Sequence, residues 1–229
     1  MKSNPFPELN SFLDHYNIAV QKAQSKAIFV RGIEIQQEQV KEIDILLDEI
    51  QKQKEIAISE TNDTKANLIL CFELSASAIK NELLFIISLK EDKPDLAWQA
   101  LINAQNQIAL AIRNHPYNGE YLNGYSYRLY MYEKSLYPEM YFASRGCIVS
   151  KSKCSICNEY IEECEHIKGY AYMGQICYEI IQEIKTLEEI SLVKNPADKS
   201  CRIISYNENG KTYDVFTNRE ILKEVLPST

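Results

Sequence analysis

Between Cys154 and Cys177 the chain packs four cysteines and a histidine into 24 residues, in the order Cys154-x2-Cys157-x6-Cys164-x-His166-x10-Cys177. No other stretch restricts the possible folds so strongly. A Cys-x2-Cys turn aims two thiolates at one point from a tight knuckle, and Cys164 and His166, as alternate residues, would project to one side of a short strand. Soft sulfur and borderline imidazole donors favour tetrahedral zinc over calcium or magnesium, which take all-oxygen shells. A segment this short and rich in turns cannot make a core from its own side chains, which argues against buried, metal-free cysteines.

Five donors compete for four positions, so one is a spectator or a support for the others. The spacing does not choose between Cys164 and His166. Cys177 is expected at the start of a helix, CYEIIQEIKTLEEISLV, with Ile180, Ile181, Ile184, Leu187 and Ile190 at helical intervals. There the macrodipole would favour a thiolate, in the layout of treble-clef zinc modules. Catalytic zinc keeps a position open for water, whereas this cluster has donors to spare, so one closed, structural zinc ion is expected and no catalytic residue is assigned. Glu162, Glu163 and Glu165 crowd the loop, where their expected role is to attract a cation and keep the loop hydrated.

Between Lys151 and Ile190 four lysines stand against eight acidic residues, a net of -4, and the whole chain carries -7. Proteins that bind a phosphate backbone show the opposite balance, because they bind by releasing its counterions. Nucleic acid is therefore possible as a partner but not favoured, and a protein-facing module fits better. No run approaches the roughly 20 apolar residues of a membrane helix, and the opening MKSNPFPELN lacks the apolar core of a secretory signal. Crowded rather than scattered cysteines point to the reducing cytoplasm. Cys71, Cys147 and Cys201 read as small apolar or surface thiols.

The predicted fold is mainly α: a helical body over residues 1–146, then a small α+β, treble-clef-like zinc module with a helix and a C-terminal β-hairpin over residues 147–229. Residues 1–60 read as a long heptad-bearing helix. Leu13, Tyr16, Val20, Ala23, Ala27 and Val30 alternate spacings of three and four, and a second seam, Ile33, Val40, Ile43, Leu47 and Ile50, is offset beside Gly32 by a stammer or a break. Such an arm needs a covering surface, either within the chain or through self-association or a protein partner. The cap-rich Thr61 to Thr64 precedes KANLILCFELSASAIKNELLFIISL, apolar on most sides and suited to a buried helix. Pro94 opens the next helix, whose inward face holds Trp98, Leu101, Ile102, Ile108 and Ile112. Three such segments with short turns make an antiparallel bundle.

From Pro116 to Gly146 fall eight of the 15 tyrosines. Their rings either close the bundle while their hydroxyls stay wet, or form a recognition face for protein or stacked bases. Near the end, CRIISYNENGKTYDVFT reads as two short strands joined through Asn207 to Gly210.

Two resemblances rest on these residues. Glu165-His166-Ile167, within the Cys-x2-Cys context, resembles the acidic-His-Ile motif of HNH-type nucleases, over about 25 residues. That would imply metal-dependent nucleic-acid cleavage with His166 as general base. The Asn and second His of that motif have no counterpart in CYEIIQEIKTLEEI. Over residues 95–217 the order Trp98-x-Ala100-Leu101, Ala104-Gln105, Glu133, Leu136-Tyr137-Pro138, the Cys/His cluster with Gly169, Tyr172 and Gly174, and Cys201-Arg202 is similar to a group of function-unassigned bacterial proteins. It implies a bacterial, cytoplasmic, zinc-containing protein and supplies no activity.

Other chemistry is thinly represented. No phosphate-cradling glycine loop occurs among the seven glycines. Asp14-His15 reads as a solvated helix face, and Arg128 and Arg145 as surface pairing or a clasp for carboxylate or phosphate. The expectation is a non-enzymatic accessory subunit. HNH-like cleavage and a nucleic-acid adaptor built on the tyrosines are the alternatives.

Overall fold

In the computed structural model, which describes residues 5–222, the N-terminal heptad stretch forms two helices, α1 (Asn10–Ala27) and α2 (Ile33–Ser59). The single rod expected over residues 1–60 is corrected to a helical pair, with the break beside Gly32. The side chains of two residues hold the turn. Buried Gln36 donates its amide to the Lys26 and Ala27 carbonyls at 3.2 and 2.5 Å, occupying acceptors that the end of a helix leaves open. The Lys90 ammonium takes the carbonyls of Val30 at 2.6 Å and Arg31 at 3.3 Å.

Both apolar seams turn inward. Tyr16, Ala23, Ala27, Ile43 and Ile50 are buried in one cluster with Ala66, Ile69 and Leu83 of α3 (Asp63–Lys90). The Asn62 side chain caps α3 by accepting the Lys65 N–H at 3.0 Å. With apolar residues nearly all round, α3 is the central helix, covered by α1 and α2 on one side and by α4 (Pro94–Asn114) on the other. Pro94 stands in the first turn of α4, where its missing N–H costs nothing. No helix among the described residues is long and apolar enough to cross a membrane.

Helix α5 (Asn123–Leu136) carries much of the tyrosine-rich segment, and the residues divide between the two readings. Tyr125, Tyr132 and Tyr137 pack against the core, while Tyr117, Tyr121, Tyr127, Tyr130 and Tyr141 are exposed. A charge fastens α5 to α3. The Glu82 carboxylate, fully buried, accepts from Arg128 at 2.8 Å and from the Tyr132 hydroxyl at 3.1 Å. Arg128 thus clasps a carboxylate of its own chain.

The C-terminal part is built on strands β1 (Phe142–Cys154), β2 (Ala171–Tyr172), β3 (Gln175–Ile176), β4 (Glu179–Val193), β5 (Ser205–Glu208) and β6 (Lys211–Asp214). Three two-stranded antiparallel sheets result: β1 with β4, β2 with β3, and β5 with β6. Strand β1 runs through the domain boundary expected at residue 146. The β5–β6 hairpin follows the sequence signal, with Asn209 at φ 51° and Gly210 at φ 78° forming the two-residue turn that matches strand twist.

The helix expected over residues 177–193 is corrected to strand β4, paired with β1 along its length. Six of its fifteen residues are β-branched: Ile180, Ile181, Ile184, Thr186, Ile190 and Val193. Its helical spacing arises from the register. From Arg145↔Ile190 to Cys147↔Leu187 to Val149↔Ile184, β4 spends three residues for every two of β1, so bulges keep residues three apart on one face. Propensity and periodicity are overridden by a partner strand more than thirty residues away.

One end of this ribbon enters a cluster of Trp98, Ile102 and Phe142 with Tyr137, Val193 and Phe216. The Trp98 indole donates to the Lys199 carbonyl at 3.0 Å, and Lys199 and Gln105 both donate to Glu133, at 2.6 and 2.9 Å. Arg202 lies over the Phe216 ring and pairs with Asp95. Residues quoted above from distant parts of the sequence thus meet at one joint.

Candidate metal centre

The other end of the ribbon is the loop between Cys154 and Glu179, which carries every predicted donor. Strand β1 delivers Cys154, and the chain reverses at once through Asn158, whose φ of 62° and N–H to the Cys154 carbonyl at 2.9 Å close the knuckle. The reversal turns the Ile156 N–H onto the Cys154 sulfur at 3.3 Å. A short 3-10 turn, Ile161–Glu163, then leads to Cys164, whose sulfur accepts the His166 N–H at 3.2 Å. Cys164 and His166 lie on an extended loop and not on the short strand expected, yet Sγ and Nδ1 still meet at 3.2 Å. Tyr172 supports the imidazole, edge to face at 4.5 Å, and its hydroxyl accepts the Ile167 N–H at 2.9 Å.

One donor atom from each of Cys154, Cys157, Cys164 and His166 lies within 4.8 Å of all the others. Cys157 and Cys164 sulfurs are 3.5 Å apart. Cys177 adjoins the group through Cys154, sulfur to sulfur at 3.7 Å. A tetrahedron with zinc–sulfur bonds of about 2.3 Å has edges of about 3.8 Å, so these separations suit zinc. The helix that was to place Cys177 in its macrodipole does not exist. Cys177 is instead held between β3 and β4, with its N–H on the Tyr170 carbonyl and its own carbonyl accepting the Gly169 N–H, both at 2.8 Å. Glu162, Glu163 and Glu165 are exposed and outside the donor group.

Electrostatics set an order of ionisation. Burial opposes a charge on Cys154, but N–H groups of Cys157 and Ile156 and contacts with Cys164 and Cys177 outweigh it and hold the thiol at about 6. Burial pushes Cys164 and Cys177 up to about 11, reinforced by the neighbouring Cys154 thiolate. One thiolate thus forms readily and suppresses the others. A divalent cation removes that suppression: three thiolates and a neutral imidazole about Zn2+ leave a single negative charge, which the two N–H···S bonds offset.

Sequence reasoning missed the residues that fasten this loop to the helices. Asn114, at the end of α4, donates to the Gly169 carbonyl at 3.1 Å and accepts the Ala171 N–H at 2.8 Å. Asn67 accepts the Gly174 N–H at 2.8 Å and donates to the Ala171 carbonyl at 3.4 Å, and Asp63 accepts the Met173 N–H at 2.7 Å. A Cβ at Gly174, where φ is +75°, would stand 3.1 Å from the Lys54 stem, so glycine allows both the β2–β3 turn and its close approach to the helices. No local signal marks Asn67 or Asn114, whose partners lie 104–107 and 55–57 residues away.

The other singled-out groups lie apart. His15 is exposed and meets Glu49 at 2.8 Å, and Arg145 is exposed on the ribbon. Comparison with protein families, with curated proteins and with solved structures finds no match for this chain.

Proposed function

We propose that this chain is a zinc-containing interaction protein, a non-enzymatic accessory subunit of a bacterial multi-protein system acting in the cytoplasm. One structural zinc ion on Cys154, Cys157, Cys164 and His166 shapes the loop that joins the ribbon to the helices. The observation that carries this reading is the convergence of these four donors within 4.8 Å, in a loop pinned to α3 and α4 through its backbone. Four donors fill a tetrahedron and leave no position for an activating water. The partner is a protein or a second copy. The heptad seams face inward, so a contact through the N-terminal helices would use outward residues such as Ile18, Phe29 and Ile45.

The test is metal analysis of the purified chain together with His166→Ala. The expected result is about one zinc per chain, lower thermal stability in the variant, and no DNA or RNA cleavage with added magnesium or manganese. Cleavage that His166→Ala abolishes while zinc is retained would overturn this reading in favour of an HNH-like nuclease. The five exposed tyrosines support a nucleic-acid adaptor as the second reading, which requires binding to single strands that weakens steeply with salt.

A further inference from the structure

The β1–β4 ribbon has two unlike faces. Arg145, Cys147 and Val149 alternate along β1 and therefore share a face, and their register partners Ile190, Leu187 and Ile184 lie on it with them. The opposite face pairs Ser144 with Ser191 and Ile148 with Thr186, and Gly146 there lies under Glu188 and Glu189. The first face is apolar yet wet: Leu187 is 70% and Ile190 73% exposed. No described residue covers it. A two-stranded ribbon is marginal by itself, and both of its ends are pinned while this middle is left open.

Charge identifies what fits there. Strand β1 carries Arg145, Lys151 and Lys153 with no acid, a net of +3, while β4 carries four glutamates against Lys185, a net of -3. One of these pairs, Lys151 with Glu183 at 3.0 Å, is already made within the ribbon. A two-fold axis parallel to the strands stacks β1 of one copy over β4 of the other, so the basic strand lies along the acidic strand on both long rims. Two-fold pairing at the edges would instead set β1 beside β1 or β4 beside β4, like charge against like.

We propose that the apolar face of the β1–β4 ribbon is the interface between two copies of this chain, closing face to face into a four-stranded sandwich. This goes beyond the reading of the zinc site and does not need it, since zinc content is measured separately in each sample below.

The test is light scattering on the zinc-replete full chain over a hundredfold range of concentration, with Leu187→Ser/Ile190→Ser as the variant. Wild type is expected at twice the chain mass of 26.5 kDa. Losing four such side chains per dimer raises the dissociation constant at least about a hundredfold, with zinc content unchanged. A second measurement covers the case of a variant that folds poorly: a short bismaleimide reacting with exposed Cys147 joins wild-type chains into dimers, and Cys147→Ser abolishes that band. A chain that is monomeric throughout overturns the proposal. So does a dimer that survives the double substitution and is not joined through Cys147.

Discussion

Replacing Asn114 by alanine cuts the zinc loop from α4 at two atoms. Its buried amide donates to the Gly169 carbonyl at 3.1 Å and accepts from the Ala171 N–H at 2.8 Å. Each bond contributes roughly 1 kcal/mol net, and two backbone groups are left without their partner in a half-buried place, so Asn114→Ala costs about 2–3 kcal/mol. That cost should exist only while the ion holds Gly169 and Ala171 in position. By reciprocity the substitution then weakens zinc binding by the same free energy, about 30- to 150-fold. The assay is urea unfolding of wild type and variant, each with stoichiometric zinc and with excess chelator, paired with a competition titration for zinc affinity. Equal destabilisation with and without metal, or an unchanged zinc affinity, would refute the claim that the ion organises this contact.

Zinc uptake at pH 7 should release protons, because Cys164 and Cys177 are held at about 11 and keep theirs until the metal displaces them; affinity therefore falls as the pH is lowered. Calorimetry in buffers of different ionisation enthalpy counts them, and the count rises by one if Cys177 takes the fourth position in place of His166. Arg128→Ala strands the buried Glu82 carboxylate and should cost about 3–5 kcal/mol in urea unfolding, with Glu82→Gln/Arg128→Ala recovering part of it. Gly174→Ala puts a side chain at φ +75° against Lys54 and should cost about 1–2 kcal/mol, with faster amide exchange over the β2–β3 turn as the local readout.

What the sequence revealed follows the range of the interactions concerned. Asn62 and Pro94 mark the starts of α3 and α4 within one turn of chain, and Asn209-Gly210 marks its hairpin within four residues, so all three were legible. The donor cluster was legible because its ligands lie within 24 residues. Strand β4 was not. Its isoleucines and leucine recur every three residues, which imitates a helix unless the bulges that pairing with β1 imposes are known. The break beside Gly32 was open in the sequence as one of two readings; Gln36 and Lys90 settle it by taking four carbonyls of the turn and its approach, and Lys90 is some sixty residues away. Asn67 and Asn114 look like ordinary helix residues until the loop they hold is in place.

The chain has a single tryptophan, and it stands at the joint farthest along the ribbon from the donor cluster. Its indole is tied to the Lys199 carbonyl and its ring lies against Tyr137, Phe142 and Phe216. Light emitted by this one fluorophore therefore comes from the junction of α4, the ribbon and the C-terminal hairpin, without contribution from another indole. A red shift and fall in intensity on adding chelator would mean that a disturbance at the loop travels the length of the ribbon; a steady spectrum would mean that its two anchors let go separately. The molecule thus carries its own unlabelled gauge of whether the strands behave as a stiff lever or a slack tether.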